Sequence, residues 1–174
     1  MDIVQETEPD IQDVNFGDFM QEESGIEDRD KMGNEIPLLK YREMQKRVAI
    51  KISLISGNQV INTHSAIRTK NGYFPGLPDD IVKILNPDAI IVSEFDPEEI
   101  RRRRKGDKKR QGRDKDETTE EIELDQKASL LFAFAAGNAA GCPVEVINLR
   151  KPEEEEFGHS KFVAKKIIEI FQAS

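Results

Sequence analysis

Short apolar runs alternate with longer amphipathic stretches along this chain, and no other feature constrains its fold as strongly. Four short runs are predicted to be strands, at residues 11–16, 59–62, 89–95 and 144–149. The last three are apolar enough to be covered on both faces. Helical patterns occupy the intervals, at residues 36–55, 79–85, 97–104, 119–140 and 159–173. Strands that alternate with helices predict an α/β fold of three layers, a parallel sheet with helices on both faces.

The composition fits one modest domain with an uneven charge. The 174 residues are 37% apolar, which is enough for a single core. A formal net charge of −8 argues against a general attraction to nucleic acid or to anionic membranes. However, residues 1–30 are strongly acidic with Arg29 as the only cation, whereas residues 101–115 are densely basic. A local anion site therefore remains possible in the basic segment.

Cysteine content and hydropathy indicate the compartment. Cys142 is the single cysteine, which excludes an internal disulfide and fits a reducing compartment. Its place between Gly141 and Pro143 favours a packed thiol over a reactive one. No run approaches membrane-spanning length. The expectation is a soluble, cytoplasmic protein without a membrane partner.

A polar segment follows the second predicted strand. Asn62, Thr63 and His64 stand where a parallel sheet presents ligands. The next loop combines a cation, an aromatic ring and turn residues, which suits it to seating a nucleotide: Arg68, Gly72, Tyr73, Pro75, Gly76 and Pro78.

This segment, N-T-H-S…G-Y-F-P-G-L-P, resembles the D-T-H-[SA]…G-Y-[LYF]-x-G-L-P pattern of the archaeal adenylate kinases and departs from it at Asn62. V-N-F-G-D-F-M (residues 14–20) and E-D-R-D-K-M (residues 27–32) are similar to that family's segments around the AMP site. Residues 103–114, R-R-K-G-D-K-K-R-Q-G-R-D, look like its lid, R-R-x-x-D-x-T-R-N-R, with one residue inserted.

The resemblance implies an enzyme that transfers a phosphoryl group from ATP to AMP and gives two ADP, with Mg²⁺ bridging the ATP phosphates. It implies one domain over residues 1–174, with an AMP-binding region near 15–55 and a lid near 101–118. Residues 1–10 would be the remnant of a linker. Relatives of this kind include trimers, so the resemblance also implies a homo-oligomer, whereas nucleic acid is not an expected partner.

The lid match implies three catalytic arginines, because phosphoryl transfer asks the protein mainly for positioning and positive charge. These are Arg104, Arg110 and Arg113. Taken alone, residues 101–115 would be interpreted as a solvated charge run, and for Arg101 and Arg102 that interpretation stands.

The resemblance places AMP against six residues: Phe16, Gly17, Arg29, His64, Arg68 and Tyr73. Arg29 would grip the AMP phosphate, with Arg68 as a second candidate. Without the resemblance, a local ion pair would be the favoured role for Arg29, and a structural hydrogen bond the favoured role for His64. No metal ligands are expected; Asn62 stands where the family's aspartate supports Mg²⁺, and an amide brings no negative charge there.

The phosphate loop (P-loop) of such kinases, G-x-x-x-x-G-K-[ST], does not occur in the 174 residues. The glycine-rich stretch at residues 136–143 has no lysine and is predicted to end a helix. In the family's sheet order, 2-3-1-4-5, the strand before that loop lies in the middle, so its absence should leave two neighbours unpaired.

The expectation is therefore a kinase truncated at its N-terminus by a start codon placed too far downstream. The alternatives are a non-catalytic nucleotide- or RNA-binding paralogue, using residues 101–113, and a fragment without activity.

Overall fold

The computed structural model describes residues 2–26, 36–106 and 117–173. In chain order the elements are α1 (Asp2–Thr7), β1 (Gln12–Asn15), α2 (Phe16–Ser24), α3 (Leu38–Ser53), β2 (Gln59–Asn62), β3 (Ala66–Thr69), β4 (Gly72–Pro75), α4 (Asp79–Leu85), β5 (Ile90–Phe95), α5 (Pro97–Gly106), α6 (Thr119–Ala140), β6 (Val144–Leu149) and α7 (Gly158–Ala173). Strands and helices alternate through most of this order, which confirms the α/β class.

The strands form three separate pairs. β1 lies parallel to β2, and β5 lies parallel to β6. β3 and β4 form an antiparallel hairpin where the sequence analysis expects a loop. Within the described ranges no strand pairs with more than one other, so each strand of the two parallel pairs has one open edge. The parallel sheet that the sequence predicts is therefore present as two separate pairs of strands.

Helices pack on both faces of the parallel strands, as predicted, but they do not bury the strands completely. All six residues of β5 are half-buried, Asn62 at the end of β2 is exposed, and β6 exposes Glu145, Val146 and Asn148. Two-stranded sheets are too narrow for helices to enclose completely, which accounts for the exposure.

Two apolar clusters hold these elements together. The larger packs α2, α3 and α4 against β1 and consists of Val14, Phe16, Met20, Met44, Val48, Ala49, Ile52 and Ile81. The smaller joins α1 to α7 through Val4, Ile11, Ala164 and Ile167. Residues 2–7 form a helix that packs on α7 through Val4, and the assignment of residues 1–10 as a linker remnant stays a prediction.

Local capping explains where the helices begin and end. The Asn15 side chain accepts a hydrogen bond from the Gly17 backbone N–H, so α2 begins directly after β1. Thr118 and Glu121 form a capping box at the start of α6. Gly141, with φ of 74°, ends α6, which confirms that residues 136–143 stop a helix. None of the helices in the described ranges has the length and hydropathy needed to cross a membrane.

An ion pair between α2 and α3 makes the stability of this fold depend on pH. Glu23 accepts hydrogen bonds from Lys51 Nζ at 2.6 Å and from Arg47 Nε at 2.7 Å. The bond from Lys51, then the bond from Arg47, lowers the pKa of Glu23 below its ordinary 4.5, against a smaller opposing effect of burial. A carboxyl whose pKa is depressed by folding stabilises the protein above its unfolded-state pKa, and this stability is lost as the pH falls through the folded-state pKa.

We therefore expect Glu23→Gln to lower the free energy of unfolding at pH 7 and to have no effect at about pH 2. Urea denaturation at a series of pH values measures the difference. Glu154→Gln, at an exposed carboxylate before α7, is the control. A Glu23→Gln difference that stays constant down to about pH 2 would contradict the role of the ion pair.

Candidate nucleotide site

The hairpin of β3 and β4 presents two of the predicted site residues side by side. Its register places Arg68 opposite Tyr73, so both side chains leave the same face of the hairpin. The Thr69 hydroxyl donates to the Gly72 carbonyl at 2.7 Å and closes the turn, while Gly72 has a φ of 114° that favours glycine. The hairpin thereby fixes a cation and a phenol as neighbours.

Both side chains bind the same carboxylate on α6. Arg68 donates from Nε to Asp125 Oδ1 at 2.8 Å, and its Nη2 lies 2.7 Å from Oδ2. The Tyr73 hydroxyl donates to Asp125 Oδ1. Burial, followed by this hydrogen bond, raises the pKa of Tyr73, while Arg68 acts in the opposite direction. The phenol therefore remains a neutral donor near neutral pH.

A second carboxylate joins Arg68 to Arg104. Glu117 is 8% exposed and lies directly before the N-cap of α6. Arg104, in the last turn of α5, pairs with Glu117 Oε2 through Nη1, and Arg68 Nη2 lies 3.6 Å from Oε1. A carboxylate so deeply buried requires cationic partners. One residue from the predicted AMP set and one from the predicted catalytic set thus meet on Glu117.

Comparisons with known proteins show which family this chain belongs to. A family model described as an AAA domain matches residues 1–123. The adenylate kinase of Pyrobaculum aerophilum is 42% identical over 175 residues, which cover 98% of this chain and 88% of that relative. The chain belongs to the adenylate kinase family. The adenylate kinases of Methanopyrus kandleri and Pyrococcus abyssi are each 36% identical, over 82% and 83% of this chain and 78% and 75% of the relatives.

Three other predicted site residues of this adenylate kinase lie in the described ranges. Phe16 is 4% exposed, so its ring packs in the core and is not available to stack on a base. Gly17 lies in the first turn of α2, and His64 is exposed between β2 and β3. Arg29, Arg110 and Arg113 lie outside the described residues, so their roles stay predictions.

Two acidic residues of the site were missed by sequence reasoning, Glu117 and Asp125. For Asp125 a partial signal was present, because the capping box fixes the start of α6 and so places Glu121 and Asp125 one turn apart on the same face. What the sequence does not contain is the contact of that face with the hairpin, 57 residues away for Arg68 and Asp125.

An open groove of about 360 Å³ lies at the end of α2. Asp18, Gln21, Glu22, Gly25 and Ile26 line it. Its two carboxylates, Asp18 and Glu22, would repel a phosphate.

The part of the chain that the structure describes offers few ligands for Mg²⁺. No group of three or more His, Cys, Asp or Glu residues there is arranged to hold a metal ion. Asn62, at the exposed end of β2, offers a neutral amide oxygen. These residues do not fit a protein-held Mg²⁺.

Proposed function

We propose that these residues form the AMP side and the lid base of an adenylate kinase, which transfers a phosphoryl group reversibly from ATP to AMP and gives two ADP. The observation that carries the proposal is the meeting of Arg68 and Arg104 at Glu117. The identity to known adenylate kinases over nearly the whole chain supports it.

The chemistry asks these arginines for position and charge. The transferring phosphoryl group spreads negative charge over its oxygens, and guanidinium groups stabilise that charge without forming covalent bonds. In this proposal Arg68 and Arg29 hold the AMP phosphate, while Arg104, Arg110 and Arg113 face the phosphates between the two nucleotides. Mg²⁺ would enter bound to the phosphates of ATP.

The ATP phosphates need a partner that the 174 residues do not contain, since no G-x-x-x-x-G-K-[ST] occurs in them. In this proposal that loop follows a further parallel strand between the two strand pairs. The open edges of the parallel pairs support the proposal, because each presents unpaired N–H and C=O groups to which a further strand can bond.

A nucleic-acid-binding function has less support from the described residues. Arg101, Arg102 and Arg103 lie on α5, each within 4 Å of a carboxylate, and the carboxylates are Glu98, Glu99 and Glu153. These pairs account for the three arginines as a solvated charge run, the interpretation that the sequence favours for Arg101 and Arg102. A cytoplasmic location and a homo-oligomer, such as a trimer, stay predictions.

The expected result for Arg68→Ala is a dissociation constant for AMP raised about thirtyfold, because a charge-assisted hydrogen bond to phosphate is lost. Isothermal titration of the 174-residue chain with AMP, and with adenosine as the ligand that lacks the phosphate, measures the effect. The affinity for adenosine should not change. Arg102→Ala is the control, since its side chain is 78% exposed and pairs within α5. Equal AMP affinity in Arg68→Ala and the parent would refute the assignment.

A further inference from the structure

We propose that Asp125 is a positioning residue of the AMP site, which fixes Arg68 and Tyr73 on the hairpin in the orientation that receives the phosphate. The inference rests on the proposed function, because it gives Arg68 the AMP phosphate as its ligand. Asp125 itself is not a catalytic residue: it acts through Arg68.

The hairpin needs side chains to orient it, since β3 and β4 form a two-stranded sheet of their own. Three contacts join it to successive turns of one face of α6. Arg68 Nη2 donates to the Glu121 carbonyl at 3.1 Å, Arg68 and Tyr73 bind the Asp125 carboxylate, and the Ser65 hydroxyl donates to the Ser129 carbonyl at 2.7 Å. The acceptors at the first and third turns are backbone carbonyls, which any residue provides. Asp125 is therefore the acceptor whose side chain decides the docking.

The geometry of the guanidinium separates the positioning contact from the ligand contact. A guanidinium has two edges that each bind an oxyanion through two N–H groups. Asp125 takes the Nε and Nη2 edge of Arg68. The donors left for a phosphate are those of Nη1 and the second N–H of Nη2, which in this structure donates to the Glu121 carbonyl at 3.1 Å. Without the Asp125 charge, Arg68 is expected to turn toward Glu117, whose carboxylate lies only 3.6 Å from Nη2.

A double-mutant cycle in AMP binding tests the inference on the 174-residue chain, with Asp125→Asn, Arg68→Ala and the double variant. We expect Asp125→Asn to weaken AMP binding about tenfold, and the double variant to bind within about twofold of Arg68→Ala alone. Glu123→Gln is the matched control, because Glu123 lies on the same helix and binds Arg150 through both oxygens, at 2.9 and 3.1 Å. It should leave AMP affinity unchanged.

Tyrosine absorbance gives a second readout that does not depend on AMP. The chain has two tyrosines and no tryptophan, so an alkaline titration reports on Tyr73 against one other phenol. Removing the Asp125 charge should lower the pKa of Tyr73, and Arg68→Ala should raise it, since the two groups act in opposite directions. Glu123→Gln should leave the titration unchanged.

The outcomes separate the two proposals. If Arg68→Ala weakens AMP binding and Asp125→Asn does not, Asp125 has no positioning role and the proposed function stands. The same conclusion follows if the two losses add fully, because Asp125 would then act independently of Arg68. If Arg68→Ala leaves AMP affinity unchanged, or the parent binds no AMP, both proposals fail; a Tyr73 titration unaffected by Asp125→Asn would also refute the contact itself.

Discussion

Replacing Gly76 with alanine is expected to destabilise the fold by about 3 kcal/mol or more, because the new methyl group has no room. A Cβ at this position would lie 1.8 Å from the His64 carbonyl oxygen and 2.8 Å from its carbon, and both are backbone atoms. The segment cannot shift easily. The Gly76 N–H donates to the Ser65 carbonyl at 2.8 Å, and its carbonyl accepts from the buried Gln45 side chain at 3.1 Å.

Urea denaturation of Gly76→Ala against Gly106→Ala measures this effect. Gly106 ends α5, and a Cβ on it would have no atom of the described residues within 4 Å, so alanine there should be neutral or stabilising by up to about 1 kcal/mol. A Gly76→Ala midpoint equal to that of the parent would contradict the close approach of Gly76 to His64. Because this approach joins the end of β4 to the segment after β2, we expect Gly76→Ala to weaken AMP binding as well.

Adding a parallel strand is expected to slow amide exchange in β2 and β5 at least about a hundredfold. The strand would come from the residues encoded in frame immediately upstream of Met1, provided that they contain G-x-x-x-x-G-K-[ST]. Within the described residues, β1, β2, β5 and β6 each pair along one edge. The six residues of β5 are only half-buried, although four of them are apolar. A strand between the pairs would bond to open N–H and C=O groups and cover this surface.

Hydrogen exchange followed by mass spectrometry measures the protection of peptides from the 174-residue and the extended chains. The hairpin of β3 and β4 is an internal control, since it forms its own sheet and should exchange at the same rate in both. Unchanged exchange in β2 and β5 would show that no strand inserts between the two pairs.

The sequence was sufficient for elements with strong local signals. The capping box at Thr118 and Glu121, together with Gly141, gives both ends of α6 as predicted. The hairpin was missed as an element although Asn71 and Gly72 form a dipeptide typical of tight turns between strands. The polar residues between β2 and α4 are typical of a nucleotide-binding loop. A strand of only four residues is too short to show a clear alternation of apolar and polar residues.

The site was only partly predictable, because its charges come from distant parts of the chain. The resemblance supplied Arg68, Tyr73 and Arg104, which the structure brings together around α6. Glu117 and Asp125 came from the tertiary structure, since no local pattern says which acidic residues of a charged helix face a hairpin. The Phe16 ring packs in the core, as aromatic rings in apolar surroundings usually do, and its assignment to the AMP site stays a prediction.

ADP formation from ATP and AMP is the most direct test of whether these residues are the AMP side of an adenylate kinase. It should be measured for the 174-residue chain and for the chain extended upstream through the phosphate loop. The extended chain is predicted to form ADP at least about a thousandfold faster, since the loop holds the ATP phosphates that the arginines face. An extended chain that contains the loop and forms no ADP would contradict the proposed function. A 174-residue chain that forms ADP equally fast would contradict the role given to the loop.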